Sequence, residues 1–213
     1  MSNTNFSRKM AAYLAAQHEL PAEKQDIIRF AIETLTVNIG NLILTLVIGG
    51  LLGVFKETLA CIITVGAFRH TAGGAHSKSP WRCLVGTMVV FPSLGLLARK
   101  ISIIQPGYAE LLAMVVIIIG FISIILLAPV DTPAAPILSP FRRERLKVFA
   151  ISTMVLVTVL IISLNKSTWN SASEIQMCLV LSTLWASFNL TKPGHSLWES
   201  IDALGFSRKK EVK

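Results

Sequence analysis

Tyr108 to Ala128 reads YAELLAMVVIIIGFISIILLA, 21 residues in which Glu110, near one end, is the only charge. The hydrocarbon core of a bilayer, about 30 Å thick, takes roughly 20 such residues as a helix, so this stretch is long enough to span and too apolar to face water. Comparable runs lie at Thr36 to Leu52, Leu84 to Ala98, Leu146 to Leu164 and Ile175 to Leu190. A shorter run, Thr58 to Phe68, rises only about 16 Å by itself and spans only by recruiting flanks such as Val54 and Phe55 while Lys56 and Glu57 snorkel. The expected fold is therefore an all-α, polytopic membrane helix bundle of about six spans, the second of them short. Composition agrees: of 213 residues 53% are apolar and only 15% charged, against about 25% charged in soluble domains.

The first 35 residues are too polar for a signal peptide. Pro21 suits the first turn of a helix, and Ile28, Ile32 and Leu35 then share a stripe opposite Glu23, Lys24 and Asp26. Residues 1–35 read either as an amphipathic interfacial helix region or as an extension packed on the bundle. With six spans and an inside start, Arg8, Lys9, Lys24, Arg29, Arg69, Lys78, Arg82, the four basic residues of 142–147, Lys192 and the four of 208–213 are cytoplasmic. That is sixteen of the 20 basic residues, with Lys56, Arg99, Lys100 and Lys166 outside. The asymmetry obeys the positive-inside rule and puts both termini in the cytoplasm of a cell with this membrane as its boundary. The net charge of +8 is then explained by topology and the lipid bilayer, and no nucleic acid partner is expected.

Cys61, Cys83 and Cys178 show no metal or redox spacing, and an odd count argues against a disulfide framework. Cys61 and Cys178 lie inside apolar runs and read as core packing. No internal repeat or long linker divides the chain, so residues 1–213 are treated as one domain. Two cytoplasmic segments interrupt it, 69–83 and the basic 129–147, and a basic tail, 191–213, follows the last span.

The segment 69–83, RHTAGGAHSKSPWRC, is polar between lipid-length stretches. His76 and Cys83 would share a face of an unbroken helix, but two turns separate them by about 10.5 Å, and proton transfer needs about 3 Å. A catalytic pair therefore requires a break, which Ser79-Pro80 supplies: Pro80 cannot continue a preceding helix, and Ser79 as N-cap with Pro80 first starts a new one. Cys83 then lies in or just past the first turn, where the helix dipole favours a thiolate, helped by Lys78 and Arg82. Gly73 and Gly74 let the chain turn back so that His76 can approach the sulfur. The alternative for His76 is a solvated surface histidine. His70, His76 and Cys83 lack a fourth ligand at a familiar spacing, so neither a metal nor another cofactor is expected.

Arg69, Gly73-Gly74, His76 and Cys83, followed by a span and then by Ala128-Pro129-Val130-Asp131-Thr132-Pro133, resemble the accessory gene regulator B (AgrB) family, the membrane cysteine endopeptidases of bacterial quorum sensing. The resemblance implies Cys83 as nucleophile and His76 as its partner, with Arg69 and Gly74 at positions needed for activity. It implies a homodimer and, as substrate, an AgrD-like autoinducing-peptide precursor with an amphipathic amino-terminal helix and an acidic tail. The tail would be removed and a thioester acyl-enzyme would lead to a thiolactone or lactone ring. Many relatives carry basic residues soon after the Ala-Pro-Val-Asp turn. Here Ala134-Ala135 follow it, and the basic group comes later at Arg142, Arg143, Arg145 and Lys147.

Asp131 has two readings, orienting the His76 imidazole or capping a turn between Pro129 and Pro133. Arg69 either holds a substrate carbonyl or carboxylate or anchors its span at the headgroups. Arg142, Arg143, Arg145 and Lys147 are candidates for receiving an acidic tail. Phe68 and Trp81 either wall the site or pack. Gly49, Gly50 and Gly53 could serve a dimer contact or packing within the chain. A small peptide transporter or exporter subunit is the competing class, although the apolar runs carry almost no interior charge. A scaffold protein is the third.

Overall fold

The computed structural model describes residues 9, 10, 12–14, 17, 21–77, 79–103, 106–131, 137 and 139–203. Arg8, Lys78, the stretch Thr132 to Ala135 and the tail residues Arg208, Lys209, Lys210 and Lys213 lie outside the described residues. Among the described residues the bounded elements are all helices: α1 (Ala22–Leu51), α2 (Phe55–Ala72), α3 (Pro80–Ser102), α4 (Pro106–Leu127), α5 (Pro140–Asn165), α6 (Ala172–Leu190) and α7 (Lys192–Ala203). The chain divides into two compact units, 1–44 and 45–213.

Among the described residues four helices are long and apolar enough to cross a membrane: Lys24–Leu51 within α1, Trp81–Ser102 within α3, Gly107–Leu127 within α4 and Pro140–Asn165, the whole of α5. α1 runs unbroken through the junction expected between an interfacial helix and a first span near residue 35. No Gly or Pro interrupts Thr34 to Val37, so nothing there ends the backbone ladder. The outer faces of α4 and α5 expose Met114, Ile118, Ile122, Ile125, Val155 and Leu156. Exposed apolar surface on this scale in a helical chain is lipid-facing surface.

α2 and α6 are built differently. α2 reaches 18 residues by adding Phe55 to Glu57 before the apolar run and Arg69 to Ala72 after it. α6 packs against α2, α3, α4, α5 and α7, and its residues from Gln176 to Thr183 are all buried. Although its run was read as a lipid-length span, α6 falls outside the four apolar candidates because it carries Gln176, Ser182, Thr183 and Asn189. Other helices surround it, and two of these polar groups bond within the protein through carbonyls: Gln176 Nε2 donates to the Ile161 carbonyl at 3.1 Å and Thr183 Oγ1 to that of Leu179 at 2.8 Å. Cys61 of α2 and Cys178 of α6 are free and fully buried in this centre with Met177 and Met154.

α1 turns into α2 at Leu52 to Val54, where the Val54 amide donates to the Gly49 carbonyl at 2.8 Å. A Cβ on Gly49 would fall 2.5 Å from Thr58 Oγ1, so this glycine serves a close approach within the chain. The 129–147 segment is not one loop, since α5 begins at Pro140 after Ser139 as N-cap, and the basic residues 142–147 are helical. Likewise the first half of the expected tail folds as α7.

Candidate active site

The end of α2, the 73–79 segment and the start of α3 meet the end of α4, the end of α6 and the inner face of α7. α2 stops at Gly73, whose φ of +76° suits glycine. Its Cβ, if present, would sit 2.5 Å from the Val130 carbonyl oxygen. Gly73 pairs with Val130 in a parallel bridge, and the Val130 amide donates to Ala72 O at 2.9 Å. On the other side the Ala75 amide donates to Asn189 O at 2.8 Å. The segment is thus held between the Ala-Pro-Val-Asp turn and the end of α6.

α3 starts as its sequence predicts, with Ser79 as extended N-cap and Pro80 first. The Cys83 amide makes the first intrahelical bond, to Ser79 O at 3.1 Å, which places the thiol just past the first turn. Cys83 lines a partly enclosed cavity of about 200 Å³ together with Phe68, Arg69, Thr87, Trp185 and Trp198. Most polar atoms of this wall have partners inside it. Thr87 Oγ1 donates to Cys83 O at 2.7 Å, Trp198 Nε1 to Asn189 Oδ1 at 2.8 Å, and Asn189 Nδ2 to Trp185 O at 2.8 Å.

Arg69 is the cation of this cavity. Nη1 reaches the Ala75 carbonyl at 3.4 Å. Its outer side is open to solvent, while the packed chain around it draws its pKa below the ordinary arginine value, and a negative charge on Cys83 opposes that fall. The guanidinium stays protonated under any working condition. Arg69 therefore shares the cavity wall with the thiol and carries further N–H donors.

His76 is half-buried on the segment leading to the cavity but is not among its lining residues. Nδ1 lies 2.8 Å from the Ser77 carbonyl. Since a carbonyl only accepts, Nδ1 carries hydrogen and, in the neutral ring, Nε2 keeps the lone pair. Asp131 is engaged elsewhere: Oδ1 accepts from the Ile137 amide at 2.8 Å and Oδ2 lies 4.0 Å from Arg143 Nη2. Arg145 stacks over Phe141 and Phe149 with its guanidinium 5.9 Å from each ring centroid. Phe68 walls the cavity at 3% exposure, whereas Trp81 is 74% exposed and borders a separate groove.

Sequence reasoning missed α7. Ser77, 3% exposed, donates from Oγ to the Asp202 carboxylate, and Arg82 Nη1 bonds both the Asp202 carbonyl and, at 3.2 Å, its carboxylate. Asp202 thus ties both sides of the Ser79-Pro80 break to α7. Strong amphipathicity of Lys192–Ala203 was the available signal, masked by the basic tail that follows.

Three comparisons bear on this arrangement. The family model described as Accessory gene regulator B matches residues 7–190. The chain is 24% identical over 206 residues to "Putative AgrB-like protein 2" of Clostridium perfringens (strain 13 / Type A), covering 93% of this chain and 96% of that protein. It is 32% identical over 157 residues to "Accessory gene regulator protein B" of Staphylococcus aureus (strain Newman), covering 73% and 78% respectively. No solved structure matches the chain.

Proposed function

The chain belongs to the accessory gene regulator B family of quorum-sensing membrane proteins, and from that premise we propose that it is a membrane cysteine endopeptidase acting on an AgrD-like precursor. One observation carries the reading: Cys83, at the head of α3, lines a partly enclosed, mostly apolar cavity whose wall also carries Arg69. The Arg69 charge favours the thiolate and can hold the scissile carbonyl oxygen as it gains negative charge. Cys83 Sγ attacks the carbonyl carbon, and His76 takes the thiol proton on Nε2 and returns it to the departing amine as the C–N bond breaks. Nδ1 is committed to the Ser77 carbonyl, so proton traffic runs through Nε2. For this His76 must close on the sulfur, and the 73–79 segment carries it.

The product of that step is a thioester on Cys83. A thiol of the bound acyl segment then attacks it, His76 takes that proton and restores it to Cys83, and a thiolactone is released. The exchange conserves the activated bond only where water is excluded, which the mostly apolar lining of the cavity favours. Arg142, Arg143, Arg145 and Lys147, at the start of α5, form the positive surface for an acidic tail. The protein sits in the bacterial cell membrane with both termini cytoplasmic and acts as a homodimer in this reading.

The test is reconstitution of wild type and Cys83→Ala in liposomes with precursor. Wild type should release the tail and carry a peptide adduct on Cys83, and Cys83→Ala should do neither. Tail release that survives in Cys83→Ala removes the peptidase assignment, and transport without cleavage favours the exporter class.

A further inference from the structure

Beside the thiol lies a partly enclosed space whose size and lining bear on the substrate group it takes. An apolar cavity of about 150 Å³ holds a benzene ring, and the Cys83 cavity is about 200 Å³. Phe68, Phe91, Ile124 and Trp185 supply aromatic and aliphatic surface from four helices. Asn189 and Thr87 turn their polar atoms to partners within the wall, so apart from Arg69, reserved here for the scissile carbonyl oxygen, the exposed lining is mostly apolar. A carboxylate or amide side chain there would compete with the scissile carbonyl for Arg69 and otherwise bury polar groups against apolar wall.

The back wall is specific. Trp198, on α7, is held by its bond to Asn189 and packs on Gly86 so closely that a Cβ there would lie 2.7 Å from the ring. Behind this indole runs a second, almost wholly apolar groove of about 470 Å³, bordered by Trp81, Val85, Val89, Leu197 and Ile201. Both spaces share Gly86, Val90, Trp185 and Trp198. Trp198 is therefore a partition between them.

We infer that the Cys83 cavity is the acyl-side specificity pocket, taking one bulky apolar side chain, of leucine or phenylalanine size, from the residue whose carbonyl Cys83 attacks, with Trp198 setting its depth. The inference rests on the peptidase reading, deepens it by naming the residue class at the scissile bond, and makes Trp198 a specificity-determining residue. The pocket holds the acyl residue while the thioester lasts and keeps water from it.

The experiment uses chloroacetamides carrying ethyl, isobutyl, benzyl, naphthylmethyl or carboxymethyl groups, in which Cys83 Sγ displaces chloride and its proton passes to buffer. Cys83 modification is followed by mass spectrometry in the full chain. Rates in variants are divided by those of wild type, which cancels partitioning of the reagent into detergent. Benzyl and isobutyl reagents should outrun carboxymethyl by about tenfold or more in wild type, the discrimination a fitted apolar pocket supports. Trp198→Ala should raise the naphthylmethyl rate relative to isobutyl about fivefold, by joining the two spaces. Thr87→Leu, which loses only an intrahelical bond, should lower the benzyl rate about fivefold and spare ethyl. Precursors with Ala, Leu, Phe or Asp before the scissile bond should follow the same order in kcat/KM. Equal rates for all reagents, ratios unchanged in both variants, or protection of Cys83 by a copurified lipid would overturn the pocket. Cleavage with a flat side-chain profile would overturn it and leave the peptidase standing. Reagent selectivity without any precursor cleavage would overturn the peptidase reading and the acyl-side assignment with it.

Discussion

The two ends of α2 handle charge in opposite ways. Near its start, Glu57 is 5% exposed and its charge acts on Glu174. Arg99 Nε lies 3.7 Å from Glu174 Oε1 while its Nη1 donates to Gly53 O at 3.0 Å. Twelve residues on, about 18 Å along the axis, Arg69 lines a cavity together with a thiol and makes one long bond to a carbonyl. At the first end, ionisable groups answer one another and knit α2, α3 and α6 together. At the second, a cation is left with donors to spare beside a nucleophile. A charge satisfied by its neighbours is structural, whereas one kept facing an open space is available for chemistry.

Three perturbations sharpen that contrast, beginning with the largest. Asp202→Ala removes the tie that holds Ser77 and Arg82 across the break before Cys83. If the active end depends on this clamp, turnover falls about 10²-fold, the cost of a small misplacement of catalytic groups. The conservative Asp202→Asn, able to accept from Ser77, should recover part of it. Loss of activity that tracks melting temperature alone in both variants would reduce Asp202 to a general stabilising residue.

The next effect concerns substrate capture. Replacing Arg142, Arg143, Arg145 and Lys147 with Gln should raise KM for an acid-tailed precursor about tenfold with little change in kcat, because the cluster attracts charge but does not touch the reacting atoms. The Asp131 to Arg143 pair and the stacking of Arg145 show that part of this charge also holds its own turn and helix. A precursor with a neutral tail that suffers the same loss refutes the capture role.

The smallest effect belongs to the Glu57 end. Burial, then the charge and hydrogen bond of Glu57, lift the Glu174 carboxyl above the ordinary glutamate range, against the pull of Arg99 and Lys56. Folding then favours the protonated form. Its contribution is complete below the ordinary glutamate pKa and is lost as pH rises through the raised one. Glu174→Gln, a permanent stand-in for the protonated acid, should match wild type in acid and melt at a higher temperature than wild type at neutral pH, with precursor cleavage unchanged. A difference in melting temperature that does not vary with pH would show that Glu174 stays charged.

Several features were legible without coordinates because they depend on composition or on neighbours within a turn. Apolar runs of lipid length in α3, α4 and α5 follow from the number of residues a bilayer requires. Ser79-Pro80 starts α3, and puts Cys83 just past the first turn, because proline lacks an amide and suits only the first helical position. Only the tertiary structure decided the rest. α6 lies at the centre with Gln176 and Asn189 bonded inside, and the wall of the Cys83 cavity comes from Trp198 on a helix that reads as part of a basic tail. Arg69, not His76, lines that cavity with Cys83, and Asp202 reaches back 120 residues to Arg82. Such contacts are set by how helices stack and by which buried donors need acceptors, and a pattern that repeats every few residues carries no record of either.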